Sequence, residues 1–393
     1  MQMLVINHDE IYLKGKNQRD FVRVLLRNLH QKLEDFKPFL RYEGAHGGAY
    51  FIEIVRPLSD EQWERLKEKV RTTPGISSFY LARICPPVKE NILALAFSMA
   101  QEVKDEFESF GVASQRIDKK VPFTSLDLNR EIGAEVVTKL GKKVNLGNPD
   151  MWLRVKVRHD KVLVYHRLEK AVGGLPVGSS GKAISLLSGG IDSPVSTQMA
   201  MLRGLDIVAV HFHAVPMTSP KSIEKVKQLL VAIAKYHPVI KLYLIPIYDI
   251  QQAIIALNAP RMRLVLLRRM MIVLANKIAE LEKAKVLVTG DALGQVATQT
   301  LENMNAIQTV SERMILRPLV ALGKQEIVSR ARVIGTYDIS IIPHDDTCAL
   351  FVPKRPLTRA KVEEVNEVYK QLEIEALCSA ALKASEKLTL KRS

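Results

Sequence analysis

Ser188-Gly189-Gly190-Ile191-Asp192-Ser193-Pro194-Val195 is the stretch that decides the fold of this chain. It follows a short apolar run, residues 183–187, which predicts a buried strand. Ser193 can cap a helix that begins at Pro194, where proline costs no backbone hydrogen bond. Small residues in the loop let backbone N–H groups approach an anion at a helix N-terminus. The stretch therefore predicts a phosphate cradle between a strand and a helix.

The loop carries a carboxylate, Asp192, which would repel a phosphate group unless a cation lies between them. We therefore expect Mg²⁺ between Asp192 and a leaving pyrophosphate, so that Asp192 is both a catalytic residue and a metal ligand. The loop is not a Walker loop, because no Gly-Lys-Ser/Thr ends it, and it lacks the Gly-x-Gly-x-x-Gly pattern. A glycine-rich turn without a ligand is the alternative interpretation.

This stretch resembles the pyrophosphatase loop (PP-loop) of the ATP-pyrophosphatases, which adenylate a carbonyl oxygen and then displace AMP. The resemblance implies ATP as the cofactor. It also implies that the nucleotide is bound by the loop residues Ser188, Gly189, Gly190 and Ser193.

Composition indicates a soluble globular protein of two or three domains, with 393 residues of which 47% are hydrophobic and 25% charged. No uncharged apolar run approaches the roughly 20 residues of a membrane span, and the first residues do not form a signal peptide. The three cysteines include no C-x-x-C pair, which argues against a disulfide scaffold, a structural zinc site or an iron–sulfur cluster. We expect a cytoplasmic protein without a membrane partner.

The net charge of +15 is unevenly distributed, since residues 1–110 are neutral, residues 111–170 carry +6 and residues 171–393 carry +9. Such a basic chain suits a polyanion such as RNA, although solubility alone is the alternative. Residues 152–167 predict a hairpin in which a period of two places Arg154, Lys156 and Arg158 on one face. That face either contacts phosphates or is simply solvated.

Two kinds of pattern divide the chain at a glycine-rich linker, residues 173–182. Before it, strands at 2–7, 49–55 and 78–84 with helices from Asp20 and over 61–70 predict a ferredoxin-like module, followed by helices at 91–110 and 128–140 and a strand at 112–117. After it, strands at 207–213, 239–247 and 285–289 with helices at 222–236, 261–282 and 324–334 predict a doubly wound parallel sheet.

Ligands of such sheets bind at the carboxyl ends of the strands, where the Ser188 loop, His211-Phe212 and Gly290-Asp291 are expected to converge. His211 and His213 face one way on a strand, as a metal pair or, in the interpretation we favour, as packing and nucleotide contacts. Phe212 is expected near adenine. Arg268 either reaches the triphosphate or is a surface arginine.

Three further segments carry a second resemblance: Lys14-Gly15-Lys16-Asn17, residues 146–150 (Leu-Gly-Asn-Pro-Asp) and residues 173–178 (Gly-Gly-Leu-Pro-Val-Gly). With the PP-loop they resemble the tRNA 4-thiouridine synthetase family of tRNA sulfurtransferases. The resemblance implies an N-terminal ferredoxin-like domain over 1–62, a tRNA-binding THUMP domain over 63–168, a linker over 169–182 and a PP-loop ATP-pyrophosphatase domain with a C-terminal helical tail over 183–393.

The family also implies which residues contact the nucleotide. By position they are Leu186, Leu187, His211, Phe212, Arg268, Gly290 and Gln299. Lys324 matches the block that follows and is expected to neutralise the adenylated intermediate. Asp291 departs from the family, which usually has glutamate there.

Cys348 lies in a polar, aspartate-containing segment and is a candidate thiol nucleophile, with an inert surface cysteine as the alternative. The family has a mechanistic cysteine at this place. It either carries a persulfide or resolves the resulting disulfide. Cys85 is expected in the core, and Cys378 matches nothing in the family.

After Arg355 the chain is too short for a rhodanese domain of about 100 residues, so it resembles the shorter members of the family. The resemblance implies ATP-dependent conversion of a tRNA uridine, at position eight, to 4-thiouridine, with tRNA and a cysteine desulfurase as partners. Sulfur supply to the thiazole carrier protein of thiamine synthesis is a second implied role, and the family also includes homodimers. The alternatives are another ATP-pyrophosphatase, such as an amidotransferase or a lysine-to-cytidine ligase, and a non-catalytic tRNA-binding protein.

Overall fold

The structure, a computed structural model, describes residues 2–117, 120–215, 219–237, 239–343, 351, 353 and 355–391. The chain forms two compact units. Unit 1 consists of Met1–Gln18 and Leu29–Gly174, and unit 2 of Arg19–Asn28 and Leu175–Ser393. Over the part of the chain that is described, no helix combines the length and the apolar character that a membrane crossing requires.

Unit 1 contains one sheet of nine strands with helices that follow the predicted order of elements. In chain order the elements up to residue 174 are β1 (Gln2–His8), α1 (Gln18–Lys32, of which Arg19–Asn28 are counted with unit 2), β2 (Leu40–His46), β3 (Ala49–Ile54), α2 (Asp60–Arg71), β4 (Ile76–Cys85), α3 (Lys89–Glu102), β5 (Ser109–Arg116), α4 (Ser125–Leu140), β6 (Lys143–Val144), β7 (Met151–Val157), β8 (Val162–Tyr165) and β9 (Glu169–Lys170).

The first half of this sheet has the ferredoxin-like order that the sequence predicts. Strand β1 is central, since it pairs antiparallel with β3 on one side and with β4 on the other, and β2 pairs with β3. The order β2-β3-β1-β4 of a βαββαβ unit is the ferredoxin-like arrangement. Helix α2, which includes residue 62, and strand β4, which follows it, both belong to this arrangement, while the division of unit 1 at residue 62 stays a prediction.

The second half of the sheet continues from β4 through the predicted hairpin. Strand β8 pairs antiparallel with both β4 and β7, and β5 pairs parallel with β7. The alternation predicted for residues 152–158 is confirmed, because Leu153, Val155 and Val157 are fully buried and the basic residues between them are half-buried. The helix predicted over 91–110 is wrong beyond Glu102, because Phe107 and Phe110 turn into the core as the chain becomes extended.

Unit 2 contains the predicted doubly wound sheet with helices between its strands. Its elements are β10 (Lys182–Leu186), α5 (Asp192–Leu202), β11 (Asp206–His213), α6 (Lys221–Ile233), β12 (Val239–Pro246), α7 (Tyr248–Ala256), α8 (Arg263–Leu281), β13 (Val286–Val288), α9 (Leu301–Gln308), β14 (Met314–Leu316), α10 (Lys324–Ile334), α11 (Tyr337–Ser340), α12 (Val362–Tyr369), α13 (Ile374–Lys383) and β15 (Glu386–Lys391).

The strand order is β14-β13-β10-β11-β12-β15, and every pair is parallel except β12 with β15. The central strand β10 is therefore flanked by β11 and β13, whose carboxyl ends meet at one edge. Two sequence predictions need correction here. The tail contains the predicted helical part, α12 and α13, but ends in β15, an antiparallel strand. The long helix begins at Arg263, after a 3-10 turn over Pro260–Met262.

The core of unit 2 explains the methionine- and leucine-rich character of α8. This helix packs against the sheet on one side and contacts α7, α9, α12 and α13, so its apolar residues are buried nearly all round.

Cys378 is fully buried in the same core cluster, and burial raises the pKa of its thiol to about 11. Cys85 is half-buried, and burial also raises the pKa of its thiol to about 11. Neither thiol suits a nucleophile at neutral pH.

Candidate functional site

The loop between β10 and α5 is held together by its own serines. The backbone N–H of Ser188 donates to Ser193 Oγ (2.9 Å), and the two hydroxyl oxygens are 3.1 Å apart. The backbone N–H of Gly190 donates to Ser188 Oγ (3.3 Å). The predicted cap is wrong in detail, because α5 begins at Asp192, and Ser193, inside the first turn, uses its hydroxyl to fix the loop. Ser188 and Gly190 are exposed and Gly189 is buried.

The segment that leaves β13 is packed directly on the start of α5. Ser196 Oγ donates to the carbonyl of Thr289 (2.7 Å). A Cβ added to Gly290 would lie 2.8 Å from the backbone nitrogen of Ser193 and 2.9 Å from its Cα. Real Cβ atoms do not approach backbone so closely, so only glycine allows this contact. The predicted convergence of the Ser188 loop with Gly290 is confirmed.

Asp192 is the point where three separate parts of unit 2 meet. Its Oδ1 accepts a hydrogen bond from Lys324 Nζ (2.8 Å), at the first residue of α10. Its Oδ2 accepts one from Gln295 Nε2 (2.8 Å), in the loop that follows β13. The Asp192 side chain is 21% exposed, so it borders solvent at the mouth of the loop. Gln295 lies five residues after Gly290, and the sequence analysis assigned it no role.

Magnesium fits this arrangement as an ion held mainly by phosphate and water. Mg²⁺ is commonly bound through one or two carboxylates plus substrate phosphates, and Asp192 is a carboxylate of that kind. Within the described residues no three His, Cys, Asp or Glu side chains cluster in a way that could hold a metal ion. The metal-pair interpretation of His211 and His213 is therefore not supported by a third ligand from the described residues.

A second ion-pair cluster lies beside the loop around Asp291. Its carboxylate is 4% exposed, pairs with Arg268, and accepts a hydrogen bond from Thr289 Oγ1 (2.7 Å), with Arg317 Nε 3.5 Å away. Burial by itself would raise the pKa of Asp291, but the two guanidinium groups and the hydroxyl outweigh it and the pKa is lowered. Arg268, which was expected either to reach the triphosphate or to lie at the surface, is paired with Asp291.

Gln299 lies in a 3-10 turn, Ala297–Gln299, and is 7% exposed. Its side-chain Oε1 is buried, and no described residue donates a hydrogen bond to it. Leaving a buried amide oxygen unsatisfied costs about 1–3 kcal/mol, so a bound ligand that donates there would gain from it. This geometry suits the predicted contact of Gln299 with the nucleotide.

The residues at the ends of β10 and β11 lie together as predicted. His211 is 5% exposed, and its Nδ1 lies 2.9 Å from the carbonyl oxygen of Leu187. The backbone N–H of Leu187 donates to Val210 (2.8 Å), one residue past the end of β10. Phe212 is 7% exposed and belongs to the apolar core cluster of unit 2, whereas Leu186 is half-buried at its margin. Cys348 lies outside the described residues.

The basic face of unit 1 consists of Arg154, Lys156 and Arg158, whose side chains pack over aromatic rings. The Lys156 ammonium is 5.1 Å from the centre of the Tyr80 ring and 5.7 Å from that of Tyr165, and these two rings stack at 3.7 Å. The Arg158 guanidinium lies 4.4 Å from the centre of Phe51. Burial lowers the pKa of Lys156. The Tyr80, Tyr165 and Phe51 rings are buried, so these cations cover them, and contact with phosphates suits this face better than stacking with bases.

Comparison with known proteins covers almost the whole chain. A family model described as thiamine biosynthesis protein (ThiI) matches residues 178–374, a THUMP domain model matches residues 89–167, and a ThiI ferredoxin-like domain model matches residues 3–80.

Relatives and a solved structure agree with these matches. A probable tRNA sulfurtransferase of Geobacillus kaustophilus is 39% identical over 98% of this chain and 95% of its own. A second one, of Moorella thermoacetica, is 38% identical over 98% of this chain and 97% of its own. The crystal structure of a 4-thiouridine synthetase–RNA complex with bound ATP is similar with a TM-score of 0.90 at 31% identity, covering 100% of both chains.

Proposed function

The chain belongs to the ThiI family of tRNA sulfurtransferases, and from this premise we propose how its own residues carry out the reaction. The protein is an enzyme that uses ATP to transfer sulfur to tRNA and produce 4-thiouridine. Its fold combines the ferredoxin-like, THUMP and PP-loop parts that the sequence predicts. The uridine at position eight is the proposed acceptor.

The first half of the reaction is adenylation of the uridine. Its O4 attacks the α-phosphorus of ATP, the new O–P bond forms, and the bond to the β-phosphate oxygen breaks to release pyrophosphate. The N-terminus of α5 stabilises the charge that develops on the leaving pyrophosphate, while the N–H groups of Ser188 and Gly190 donate within the loop and fix its shape. The pairing of Asp192 with Lys324 and Gln295 at this loop is the observation that carries the proposal.

Lys324 and Asp192 have complementary parts in this step. Mg²⁺, when bound, would be held by Asp192 and pyrophosphate oxygens and would neutralise the charge on the leaving group. Lys324 is 44% exposed and paired with Asp192, so its ammonium can move to a phosphate oxygen of the adenylated base as pyrophosphate departs. Arg268 is fixed by Asp291 at the side of the site and adds a second cation.

Gln299 is proposed to bind the nucleotide through its buried Oε1, which accepts a donor of ATP. The adenine amino group is a donor of the right kind, and GTP carries a carbonyl oxygen in its place. Gln299→Leu should therefore raise the KM for ATP about tenfold or more, since about 1–3 kcal/mol depends on this one hydrogen bond. Steady-state kinetics with varied ATP tests the effect, and an unchanged KM would contradict the assignment.

In the second half of the reaction the terminal sulfur of a persulfide attacks C4 of the base, and the C4–O bond to AMP breaks. A second thiol then breaks the persulfide S–S bond, which leaves the sulfur on the base and a disulfide between the two thiol groups. The thiol that carries this sulfur, or that resolves the disulfide left behind, is proposed to be Cys348. A cysteine desulfurase is the proposed sulfur donor. Sulfur supply to the thiazole carrier protein of thiamine synthesis rests on the description of the family model and is proposed as a second role, and a homodimer stays a proposal as well.

A single-turnover assay tests this proposal. Protein, Mg-ATP, an unmodified tRNA transcript and a persulfide donor are mixed, and 4-thiouridine is measured by mass and near-ultraviolet absorption after digestion. We expect ATP-dependent 4-thiouridine in the parent protein, no pyrophosphate release in Asp192→Asn, and pyrophosphate without 4-thiouridine in Cys348→Ser. Pyrophosphate release without any thiolated base in the parent protein would favour another ATP-pyrophosphatase, and tRNA binding without either product would favour a non-catalytic RNA-binding protein.

A further inference from the structure

Gln295 contacts the Asp192 carboxylate but takes no part in the adenylation step itself. Its Nε2 donates to Asp192 Oδ2 (2.8 Å), although 103 positions of the chain separate the two residues. Lys324 Nζ donates to the other carboxylate oxygen, Oδ1, at the same distance (2.8 Å). Each oxygen of Asp192 therefore has its own donor, and one of these donors is neutral while the other is charged.

The loop that carries Gln295 is fixed from its start to its middle. Gly290 packs directly against the backbone of Ser193, where a Cβ would not fit. The backbone N–H of Gly294 donates to the carbonyl of Gln299 (2.8 Å) and closes the loop on itself. Gly294 has a φ of +74°, a conformation that L side chains rarely adopt. The loop therefore holds the half-buried Gln295 side chain in a defined place.

The far end of the same loop is anchored in the core by a fully buried side chain, that of Asn303. Its Nδ2 donates to the carbonyl of Ala297 (2.7 Å) and to that of Leu357 (2.7 Å). Its Oδ1 accepts from the backbone N–H of Ala360 (3.0 Å). The turn that contains Gln299 is thereby fixed as well, so Gln295 and Gln299 are held by one ordered loop.

The two donors on Asp192 respond differently to an incoming metal ion. The Lys324 ammonium is positively charged and repels Mg²⁺, so it has to leave Oδ1 when the ion binds. The Lys324 side chain is 44% exposed and can move to a phosphate oxygen. The amide of Gln295 is neutral, and its hydrogen bond to Oδ2 can persist beside a bound cation. Partners that hold a metal ligand without touching the metal commonly change the affinity for the ion by about 10- to 100-fold.

We propose that Gln295 is a positioning residue for Mg²⁺, because it holds Oδ2 of Asp192 and leaves Oδ1 to the ion when Lys324 moves to phosphate. This inference rests on the proposed function of the site, in which Asp192 binds the metal of Mg-ATP. A carboxylate that is already ordered loses less conformational freedom on binding the ion. Since the same loop carries Gln299, the segment proposed to bind the nucleotide also orients the metal ligand.

The test compares the Kd for ATP in excess Mg²⁺ with the Kd in EDTA, by calorimetric titration of the full-length protein without tRNA. Gln295→Met keeps the length of the side chain and removes its donor. We expect the gain in ATP affinity from Mg²⁺ to fall about tenfold, with the Kd in EDTA within about twofold of the parent value. Gln325→Met is the matched control, since Gln325 is exposed and follows Lys324 on α10, and its Mg²⁺ gain should equal that of the parent.

A double variant shows whether Gln295 acts through Asp192. Asp192→Ala should remove most of the Mg²⁺ gain, and adding Gln295→Met to it should change nothing further. An additional loss in the double variant would overturn the proposal, as would equal weakening of ATP binding with and without Mg²⁺ in Gln295→Met, because both indicate general damage to the loop. An unchanged Mg²⁺ gain in Gln295→Met would overturn it too.

Two further outcomes are kept apart from these. If Gln295→Met lacks a cooperative unfolding transition, the comparison is made in Gln295→Leu, and loss of folding there too would overturn the proposal by assigning Gln295 to stability. A Mg²⁺ gain that Asp192→Ala leaves intact would contradict the proposed metal ligand itself, and the inference on Gln295 would fall with it. A gain that depends on Asp192 but not on Gln295 would overturn the inference alone.

Discussion

At the scale of single residues, the close packing at Gly290 influences which groups can reach the Asp192 carboxylate in unit 2. Gly290 has no side chain because the backbone of Ser193 occupies the space where a Cβ would lie. This close contact places the segment after β13 against the first turn of α5, and Gln295, five residues later, reaches the Asp192 carboxylate. A steric requirement at Gly290 therefore influences whether the hydrogen bond from Gln295 to Asp192 can form.

We predict that Gly290→Ala weakens ATP binding at least tenfold and lowers the free energy of unfolding by about 1–3 kcal/mol, because the added Cβ must push rigid backbone apart. Calorimetric titration with ATP and urea denaturation measure the two effects. Gly323→Ala is the control, since Gly323 has an ordinary extended backbone with open space around it, next to Lys324. ATP affinity that is the same in Gly290→Ala and the parent would show that the contact does not shape the site.

At the scale of elements, the docking of β15 depends on one buried carboxylate at the end of α8. Glu282 accepts hydrogen bonds from Lys241 (2.7 Å) and Tyr243 (2.7 Å) on β12 and from Lys387 (2.8 Å) on β15, and Lys182 on β10 lies 3.6 Å away. Burial would raise the pKa of Glu282, but these donors outweigh it and lower the pKa to about 2. The glutamate thus joins three strands and the helix that covers them.

The sign of the pH dependence follows from this lowered pKa. A carboxyl group whose pKa is lower in the folded than in the unfolded protein stabilises the fold above the unfolded pKa, and that stability is lost as the pH falls towards the folded value. The Glu282 contribution should therefore be complete at pH 7 and decline below about pH 5.

We predict that Glu282→Gln lowers the free energy of unfolding by about 1–3 kcal/mol at pH 7, because it leaves several partly buried lysines without their shared carboxylate. The difference from the parent should shrink steadily between pH 5 and pH 3. Urea denaturation followed by circular dichroism at several pH values measures it. Glu280→Gln, an exposed position on α8, is the control, and a difference that stays constant down to pH 3 would contradict the explanation.

At the scale of the whole molecule, charge and fold agree with an RNA substrate. The net charge of +15 attracts a polyanion over distance, whereas the cations laid over rings in unit 1 are fixed in place. Arg154 lies 5.7 Å from the centre of the Trp152 ring, and Gly111 leaves the space that this ring occupies. The basic side chains are half-buried and held over aromatic rings, so their charges are fixed in place and still partly accessible. We therefore propose that this face contacts phosphates.

We predict that tRNA binding weakens linearly with the logarithm of salt concentration, because each phosphate contact releases counterions. Arg154→Gln and Arg158→Gln should each reduce that slope by about one. Fluorescence anisotropy with an unmodified transcript measures the slope between low and physiological salt. Lys139→Gln is the control, since this exposed lysine already pairs with Glu135 on α4, and slopes unchanged in both arginine variants would exclude this face from the tRNA contact.

The sequence by itself determined three features whose cause is local. The apolar run before the Gly-Gly loop, the period of two in residues 152–158 and the bounds of α10 are set by neighbouring residues, and the structure has each of them. Motif spacing also identified the family, because the loop and its flanking segments belong to contiguous stretches. Local patterns failed where burial in the core outweighs helix propensity. Helix α3 ends at Glu102 because Phe107 and Phe110, which follow it, are buried in the core.

Only the tertiary structure decided which distant residues meet at Asp192. Gln295 and Lys324 are separated from it by 103 and 132 positions, and no periodicity in the sequence encodes that contact. The pairing of β15 with β12 is decided in the same way. The physical reason is that these contacts depend on the order of strands in the sheet and on the packing of helices over it. Both are decided by many buried side chains from distant parts of the chain, so no single stretch of sequence determines them.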